Sequence, residues 1–231
     1  MCGPKVLTII VTRNGNSEAT LQSIKNQTYK VCRTVFADKI YPETMSVGKR
    51  CGSAMRHALL QINLDEFTHF LRVDGDVTLP STFLEETLKL NVAVVGHAGY
   101  AQLVKIRPFK KVLGLYPIFD AEDSYVVRAL RESGCSYSDY AVKPCLPPPK
   151  KYRKQQWFLT GTIRYQLGCS IFNVLFCWKD RRSSTLVGFN CLHIILGYIH
   201  AWTTKTSKCW FVKEKNAMKR FVYNVASKLT R

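Results

Sequence analysis

Two aspartates one residue apart form the first group of side chains that could do chemistry. They read Asp74-Gly75-Asp76 and directly follow the apolar run Phe67–Val73. Carboxylate oxygens are the ligands that Mg²⁺ and Mn²⁺ prefer, and a cation held in this way also binds substrate phosphates. Asp-Gly is equally typical of a plain acidic turn. The pair alone is therefore compatible with both a metal site and a turn.

A second acidic group, Asp120, Glu122 and Asp123, precedes apolar residues at helical spacing. One interpretation is helix capping, with Asp120 as N-cap and Asp123 three residues later in the manner of a capping box. The other is general base catalysis, in which a carboxylate accepts the proton of an attacking hydroxyl. Adjacent helical residues point about 100° apart, so we expect only one of Glu122 and Asp123 to face a substrate.

Two basic residues, Lys49 and Arg50, begin the strongest helical pattern, Val47–Ile62. Cations in a first helical turn oppose the helix dipole, at a cost of about 0.3–1 kcal/mol each. A phosphate bound at that helix start would reverse the sign of this effect. Without such a ligand, the pair would be two solvated surface charges.

The elements that must position these residues alternate between short apolar runs and helical patterns. The predicted strands are Lys5–Val11, Thr34–Ala37, Phe67–Val73 and Val92–Val95, and the predicted helices run from Ser17 to about Gln27, over Val47–Ile62 and from Pro80 towards Leu90. Such alternation predicts an α/β fold with a Rossmann-like, mostly parallel sheet flanked by helices. Ligands bind beyond the carboxyl ends of such strands. We therefore expect Arg13, Asp38 and the Asp74–Asp76 turn to meet at one edge.

Four stretches in this order resemble family 2 glycosyltransferases, which have the GT-A fold. They are LTIIVTRNGNSEATLQSIKNQTYK, VGKRCGSAMRHAL, FLRVDGDVTLPSTFLEE and DAEDSYVVRALRESG, and the resemblance covers roughly residues 5–165. It implies the inverting transfer of a sugar from a nucleotide-diphosphate sugar to an acceptor hydroxyl, with Mn²⁺ or Mg²⁺ as cofactor.

The resemblance also implies site residues. Those expected to bind the nucleotide sugar are Thr12, Arg13, Asp38, Lys49, Arg50 and Asp74. Asp76 would ligate the metal with Asp74 in its shell, and Asp123 would be the catalytic base with Glu122 beside it. On the acceptor side the candidates are Arg153, Gln156 and Trp157. Of the processive QxxRW motif only the tryptophan is matched, so we expect transfer of one sugar.

The last third of the chain has a different composition. A proline-rich, basic connector begins after residue 143, so we predict a catalytic domain over 1–143 and a helical, basic and hydrophobic extension over 144–231. Ser183–Thr204 has no Asp, Glu, Lys or Arg and could lie on a membrane, be buried in the fold or a homodimer, or span the bilayer. We favour an interfacial helix, which predicts a peripheral protein on the cytosolic face of an anionic membrane. A lipid-linked glycan or a glycoprotein would then be the acceptor.

The charge balance restricts the partners. The chain has 34 Lys and Arg against 16 Asp and Glu, a formal net charge of +18. Such a charge favours anionic partners, including nucleic acid. No helix-turn-helix, zinc-finger or RNP signature supports a nucleic-acid-binding protein. Nine cysteines without C-x-x-C spacing argue against zinc and favour a reducing cytosol.

Two further functions are compatible with an α/β chain of this kind. An inactive transferase domain would keep the fold and the motifs without the reaction. A sugar nucleotidyltransferase would share a related sheet, but it is disfavoured because the glycine-rich loop expected after the first strand is missing here.

Overall fold

The computed structural model describes residues 3–12, 17–96, 100–146, 154–171, 174 and 187–210. The chain divides into two compact units, Met1–Pro148 and Pro149–Arg231. Two predicted site residues, Arg13 and Arg153, lie outside the described residues, as do most of the proline-rich connector and the basic tail from residue 211 onwards.

The first unit is built on one six-stranded sheet. Its strands are β1 (Val6–Val11), β2 (Arg33–Ala37), β3 (His69–Asp74), β4 (Val94–Val95), β5 (Ala101–Lys105) and β6 (Tyr137–Ser138). Their order is β2-β1-β3-β5-β4-β6. The β1–β2, β1–β3 and β4–β6 pairs are parallel, whereas β5 is antiparallel to both neighbours. The predicted α/β fold with a mostly parallel sheet is confirmed, but β5 and β6 were not predicted.

Helices cover both faces of this sheet. They are α1 (Glu18–Lys25), α2 (Val47–Leu60), α3 (Phe83–Lys89), α4 (Ile106–Val112) and α5 (Glu122–Glu132), with a short 3₁₀ turn at Leu64–Glu66. All six residues of β1 are buried. Leu7 and Ile9 pack with α2, α4 and α5 on one face, while Val6 and Ile10 pack with α1 and α3 on the other. This alternation is what a strand covered on both faces requires.

Two helix starts differ from their sequence prediction. Helix α3 begins at Phe83 and not at Pro80, because the Pro80 carbonyl closes a turn by accepting from Phe83 N (2.9 Å) and also accepts from Gln27 Nε2 (2.8 Å). Of the two interpretations of the second acidic group, the one with Asp120 as N-cap does not hold. The N-cap of α5 is Ala121, and no side chain caps this helix.

The second unit contains helices α6 (Lys154–Gln166) and α7 (Val187–Thr203). Their backbones approach closely at two glycines: a β-carbon on Gly161 would lie 1.9 Å from Ile194 O, and one on Gly197 would lie 1.9 Å from Phe158 O. Large apolar side chains of α7 remain exposed, at Leu192, Leu196, Ile199 and Trp202. Within the described ranges, no helix is both long and apolar enough to cross a bilayer.

Candidate active site

Three parallel strands end level with one another at one edge of the sheet. In the strand register, Val11 at the end of β1 is paired with Ala37 of β2 on one side and with Asp74 of β3 on the other. The next residues, Thr12, Asp38 and Gly75, therefore leave the sheet at the same edge. This geometry places Thr12, Asp38 and the Asp74–Asp76 turn at one edge, where the sequence predicts Asp38 and the turn to meet; Arg13, expected with them, lies outside the described residues.

The turn between the two aspartates is held on several sides. Gly75 N donates to Val11 O (2.8 Å), Thr20 Oγ1 donates to Gly75 O (2.9 Å), and Asp74 N donates to Tyr100 O (2.9 Å). A β-carbon on Gly75 would lie 3.1 Å from Cβ of Thr12, so the central position has little room for a side chain. Asp74 is half-buried and Asp76 is exposed, so the two carboxylates lie at a fixed surface turn.

Helix α2 is packed directly against the segment that leads into α5. A β-carbon on Gly48 would lie 2.0 Å from Asp120 O, and one on Gly52 would lie 2.4 Å from Pro117 O. Gly48 and Gly52 are four residues apart and lie on the same face of α2. On this face the helix backbone contacts the backbone of the segment that precedes α5. The contact holds the start of α2 beside the start of α5. There Lys49 Nζ lies 3.7 Å from Asp120 Oδ2, and the half-buried Arg50 follows it.

A buried arginine joins the two acidic motifs. Arg72, in β3, is 2% exposed; its Nη2 donates to Glu122 Oε1 and forms an ion pair with Asp74 Oδ1, at 2.9 Å in each case. Burial disfavours its charge, but Asp74, Tyr116 and Glu122 outweigh this effect and raise the pKa of Arg72 well above its ordinary value. The guanidinium is therefore a fixed positive charge beneath this edge of the sheet.

The two carboxyl groups at the start of α5 have different surroundings. Glu122 is directed at Arg72, and burial raises its pKa to about 8, against the opposing effect of Arg72 and with a further increase from Asp123. Asp123 Oδ1 accepts from Ser124 N (2.5 Å), and its main-chain oxygen accepts from Gln102 Nε2 (3.1 Å). Gln102 lies opposite Arg72 in the β3–β5 register. The start of α5 is thus tied to two neighbouring strands.

Arg72 and Gln102 are site residues that the sequence analysis missed, and Tyr116 is a buried neighbour of Arg72 that it also missed. A signal existed for the first two, since each is a polar residue inside an otherwise apolar strand, FLRV and AQLV. Such a residue must find a partner when it is buried. Tyr116 gave no signal, because it lies in a connecting segment; its ring is 1% exposed.

The predicted acceptor-side residues lie in the second unit. Gln156 and Trp157 are in the first turn of α6, with Gln156 exposed and Trp157 half-buried. Their place within α6 leaves the acceptor role a prediction.

The carboxylate groups of the site could bind a metal ion only together with other ligands. Across the part of the chain that the structure describes, no group of three or more His, Cys, Asp or Glu side chains could hold a metal ion. Asp74 and Asp76 supply carboxylate oxygens at one turn. Mg²⁺ typically binds through one or two carboxylates together with substrate phosphates. The residues therefore fit a cation whose shell is completed by a phosphorylated substrate, and they do not form a closed protein cage.

Comparison with known proteins supports the fold. No family model and no curated protein sequence matches the chain. Among solved structures, it is similar to the mannosyltransferase PcManGT from Pyrobaculum calidifontis in complex with GDP-Man and Mn²⁺, with a TM-score of 0.57 and 12% identity over 98% of this chain and 81% of that one. S. aureus TarS (1–349) gives a TM-score of 0.49 and 12% identity over 87% and 73% of the two chains. The likeness to the Pyrobaculum structure shows that the chain has a GT-A-like fold.

Proposed function

We propose that this protein is a glycosyltransferase that moves one sugar from a nucleotide-diphosphate sugar to an acceptor hydroxyl, with inversion and with a divalent cation. One observation carries the proposal: two acidic motifs, distant in sequence, are held together at the ligand-binding edge of the sheet. Arg72 Nη2 lies 2.9 Å from Asp74 Oδ1 in one motif and 2.9 Å from Glu122 Oε1 in the other. The GT-A-like fold adds support, since the similar Pyrobaculum protein is in complex with GDP-Man and Mn²⁺.

The donor would lie across the ends of β1, β2 and β3. Thr12 and Asp38 leave the sheet at this edge and suit contacts to the nucleoside, and the resemblance adds Arg13 to this set. Lys49 and Arg50, at the start of α2, suit the diphosphate, because helix N-termini and cations both favour phosphate. Asp74 and Asp76 would hold Mn²⁺ or Mg²⁺, which neutralises charge on the departing diphosphate.

The acceptor hydroxyl would lose its proton to Asp123. The acceptor oxygen attacks the anomeric carbon as the bond from that carbon to the diphosphate oxygen breaks. Because the attack comes from the face opposite the diphosphate, the anomeric centre is inverted. Both residues are buried, but Asp123 suits the role better than Glu122, because the carboxyl group of Glu122 is hydrogen-bonded to Arg72, whereas within the described residues Asp123 Oδ1 accepts only a main-chain hydrogen bond from Ser124 N. A positioned general base contributes about 10²–10⁴-fold to rate.

The second unit would serve the acceptor. Trp157 offers an aromatic ring for stacking on a sugar, with Gln156 and Arg153 beside it in sequence. The exposed apolar side chains of α7 and the net charge of +18 support an anionic membrane surface as partner. We propose a lipid-linked glycan or a glycoprotein as acceptor, at the cytosolic face of a membrane. The exposed apolar side chains of α7 are also compatible with homodimer formation.

Calorimetric titration with UDP and GDP, with and without Mn²⁺, tests the donor site. We expect one nucleotide to bind only with Mn²⁺, and Asp76→Ala to weaken that binding by about 10–100-fold, since a carboxylate ligand is lost. Asp65→Ala is the matched control: Asp65 is also an exposed aspartate of the first unit, paired with Lys110 away from this edge. Absence of nucleotide binding under every metal condition, together with salt-sensitive DNA binding, would favour a nucleic-acid-binding protein.

A further inference from the structure

Arg72 has no assigned part in the reaction proposed above, yet it occupies the centre of the site. It lies in the buried strand β3, and the residues around it in that strand, Phe70, Leu71 and Val73, are fully buried apolar side chains. A single nitrogen, Nη2, donates to Glu122 Oε1 and forms an ion pair with Asp74 Oδ1. This bridge joins the end of a strand to the start of a helix that follows it by 50 residues in the chain.

Stability does not explain an arginine at this position. Within the described residues, Arg72 Nε and Nη1, Gln102 Oε1 and Tyr116 OH are buried and form no hydrogen bond. Buried polar atoms without partners destabilise a fold, and a buried ion pair is often no more stable than apolar residues of similar size. An apolar residue at position 72 would match its neighbours in β3 without leaving such atoms.

What the bridge does provide is a fixed distance between two groups. Asp74 lies at the turn that carries Asp76, and Glu122 directly precedes Asp123. Gln102 adds a second anchor, since its Nε2 donates to the main-chain oxygen of Asp123. Reaction geometry is sensitive to displacements of about 1 Å, so a rigid link between a cation site and a base has a direct kinetic use.

We infer that Arg72 is a positioning residue that couples the Asp74–Asp76 turn to the start of α5 and thereby sets the distance between the cation site and Asp123. This inference rests on the proposed function. It predicts that a substitution at Glu122 changes nucleotide and cation binding, and that this change depends on Arg72.

The test is a double-mutant cycle on the full chain with Arg72→Met and Glu122→Leu. Methionine keeps much of the length of the arginine side chain but has no donor. We expect Glu122→Leu to weaken Mn²⁺-dependent nucleotide binding about 5–10-fold when Arg72 is present, and to have less than about a 2-fold effect in the Arg72→Met background, because coupled residues are not additive. Additive effects would overturn the positioning role while leaving the proposed function intact.

Turnover gives a second readout. We expect Arg72→Met to lower kcat about 100-fold with a change in donor KM of no more than about 10-fold, because misplacing the base affects the chemical step more than binding. Arg72→Lys should recover part of kcat, since an ammonium group can donate to both carboxyl groups. Arg56→Met is the matched control, because Arg56 donates to Tyr116 O (2.7 Å) and does not join the two motifs.

The outcomes separate the positioning role from the proposed function. A wild-type chain that binds neither nucleotide with Mn²⁺ overturns the proposed function, and the positioning role with it. A wild-type chain that binds, with kcat unchanged in Arg72→Met, overturns only the positioning role. If Arg72→Met does not fold, Arg72→Lys decides the question: its shorter reach should lower kcat at least about 10-fold relative to the wild type, and full activity would count against the inference.

Discussion

The two ends of strand β3 bury an ionisable side chain in opposite ways. At the amino end His69 is 9% exposed, its Nδ1 pairs with Thr68 Oγ1 at 2.8 Å, and burial with the nearby Lys105 lowers its pKa to about 4. At the carboxyl end Arg72 is 2% exposed and stays charged between two carboxyl groups. The buried imidazole of His69 is neutral because it has lost a proton, whereas the buried guanidinium of Arg72 keeps its charge.

This difference indicates that the arrangement at the carboxyl end of β3 serves more than the stability of the fold. A neutral imidazole needs only a hydrogen bond, which the preceding residue in the chain supplies. A buried guanidinium needs polar partners, and here these are carboxyl groups at the strand end and at the start of a helix that begins 50 residues later. Ligands of open α/β sheets bind at the carboxyl ends of the strands. The costly arrangement therefore lies where chemistry is expected.

The largest expected difference between the two ends of β3 is in kcat. We expect Asp123→Asn to lower kcat by about 10²–10⁴-fold, because an amide cannot accept the acceptor's proton. Mn²⁺-dependent nucleotide binding should change little. His69→Gln should leave kcat within about 2-fold of the wild type, since His69 lies at the opposite end of β3. Equal losses in both variants, measured by initial rates at saturating donor, would remove the functional distinction between the ends.

A smaller effect is the pH dependence of stability at the carboxyl end. The pKa of Glu122 is raised from 4.5 to about 8, so the folded chain retains a proton that the unfolded chain has released. The free energy of unfolding should therefore fall as pH rises from about 4.5 to 8. In metal-free buffer we expect Tm to fall by about 5–10 °C over this range.

Glu122→Gln isolates that contribution. Glutamine has no titratable proton but still offers an oxygen to Arg72, so its Tm should be nearly constant over the range in which that of the wild type falls. An equal slope in wild type and variant would show that Glu122 titrates normally and that another group causes the change.

The smallest effect has the opposite sign and belongs to the amino end. The pKa of His69 is lowered from 6.5 to about 4, so only the unfolded chain takes up a proton in that interval. Stability should be lost as pH falls from 6.5 to 4, with a decrease in Tm of about 2–5 °C that His69→Gln abolishes. Thermal unfolding of the Glu122 and His69 variants across pH 4–8 would thus separate the two ends of β3. A Tm of the His69 variant that falls as steeply as that of the wild type would contradict the assignment.

The order and type of the first elements could be predicted from local sequence. The apolar run Val6–Val11 is bounded by Pro4 and a polar loop, and β1 occupies this run. Helix α2 likewise begins at Val47, where the apolar period begins. Each signal depends on side-chain period and on residues at the boundary, both of which are local. The direction of β5 could not be predicted, because β5 is buried on both faces like the parallel strands β1 and β3, so its side-chain pattern does not distinguish the two directions.

The site divides in the same way. Sequence alone singled out Asp74, Asp76, Glu122 and Asp123, because acidic residues at strand and helix ends carry a local signal. It left open whether Asp120 caps α5, and the structure excludes this because the N-cap is Ala121. Only the tertiary structure decided that Arg72 joins the two acidic motifs and that Gln102 anchors Asp123. The physical reason is that a buried charge takes its partners from wherever the fold brings carboxyl groups within about 3 Å, and sequence spacing does not record that distance.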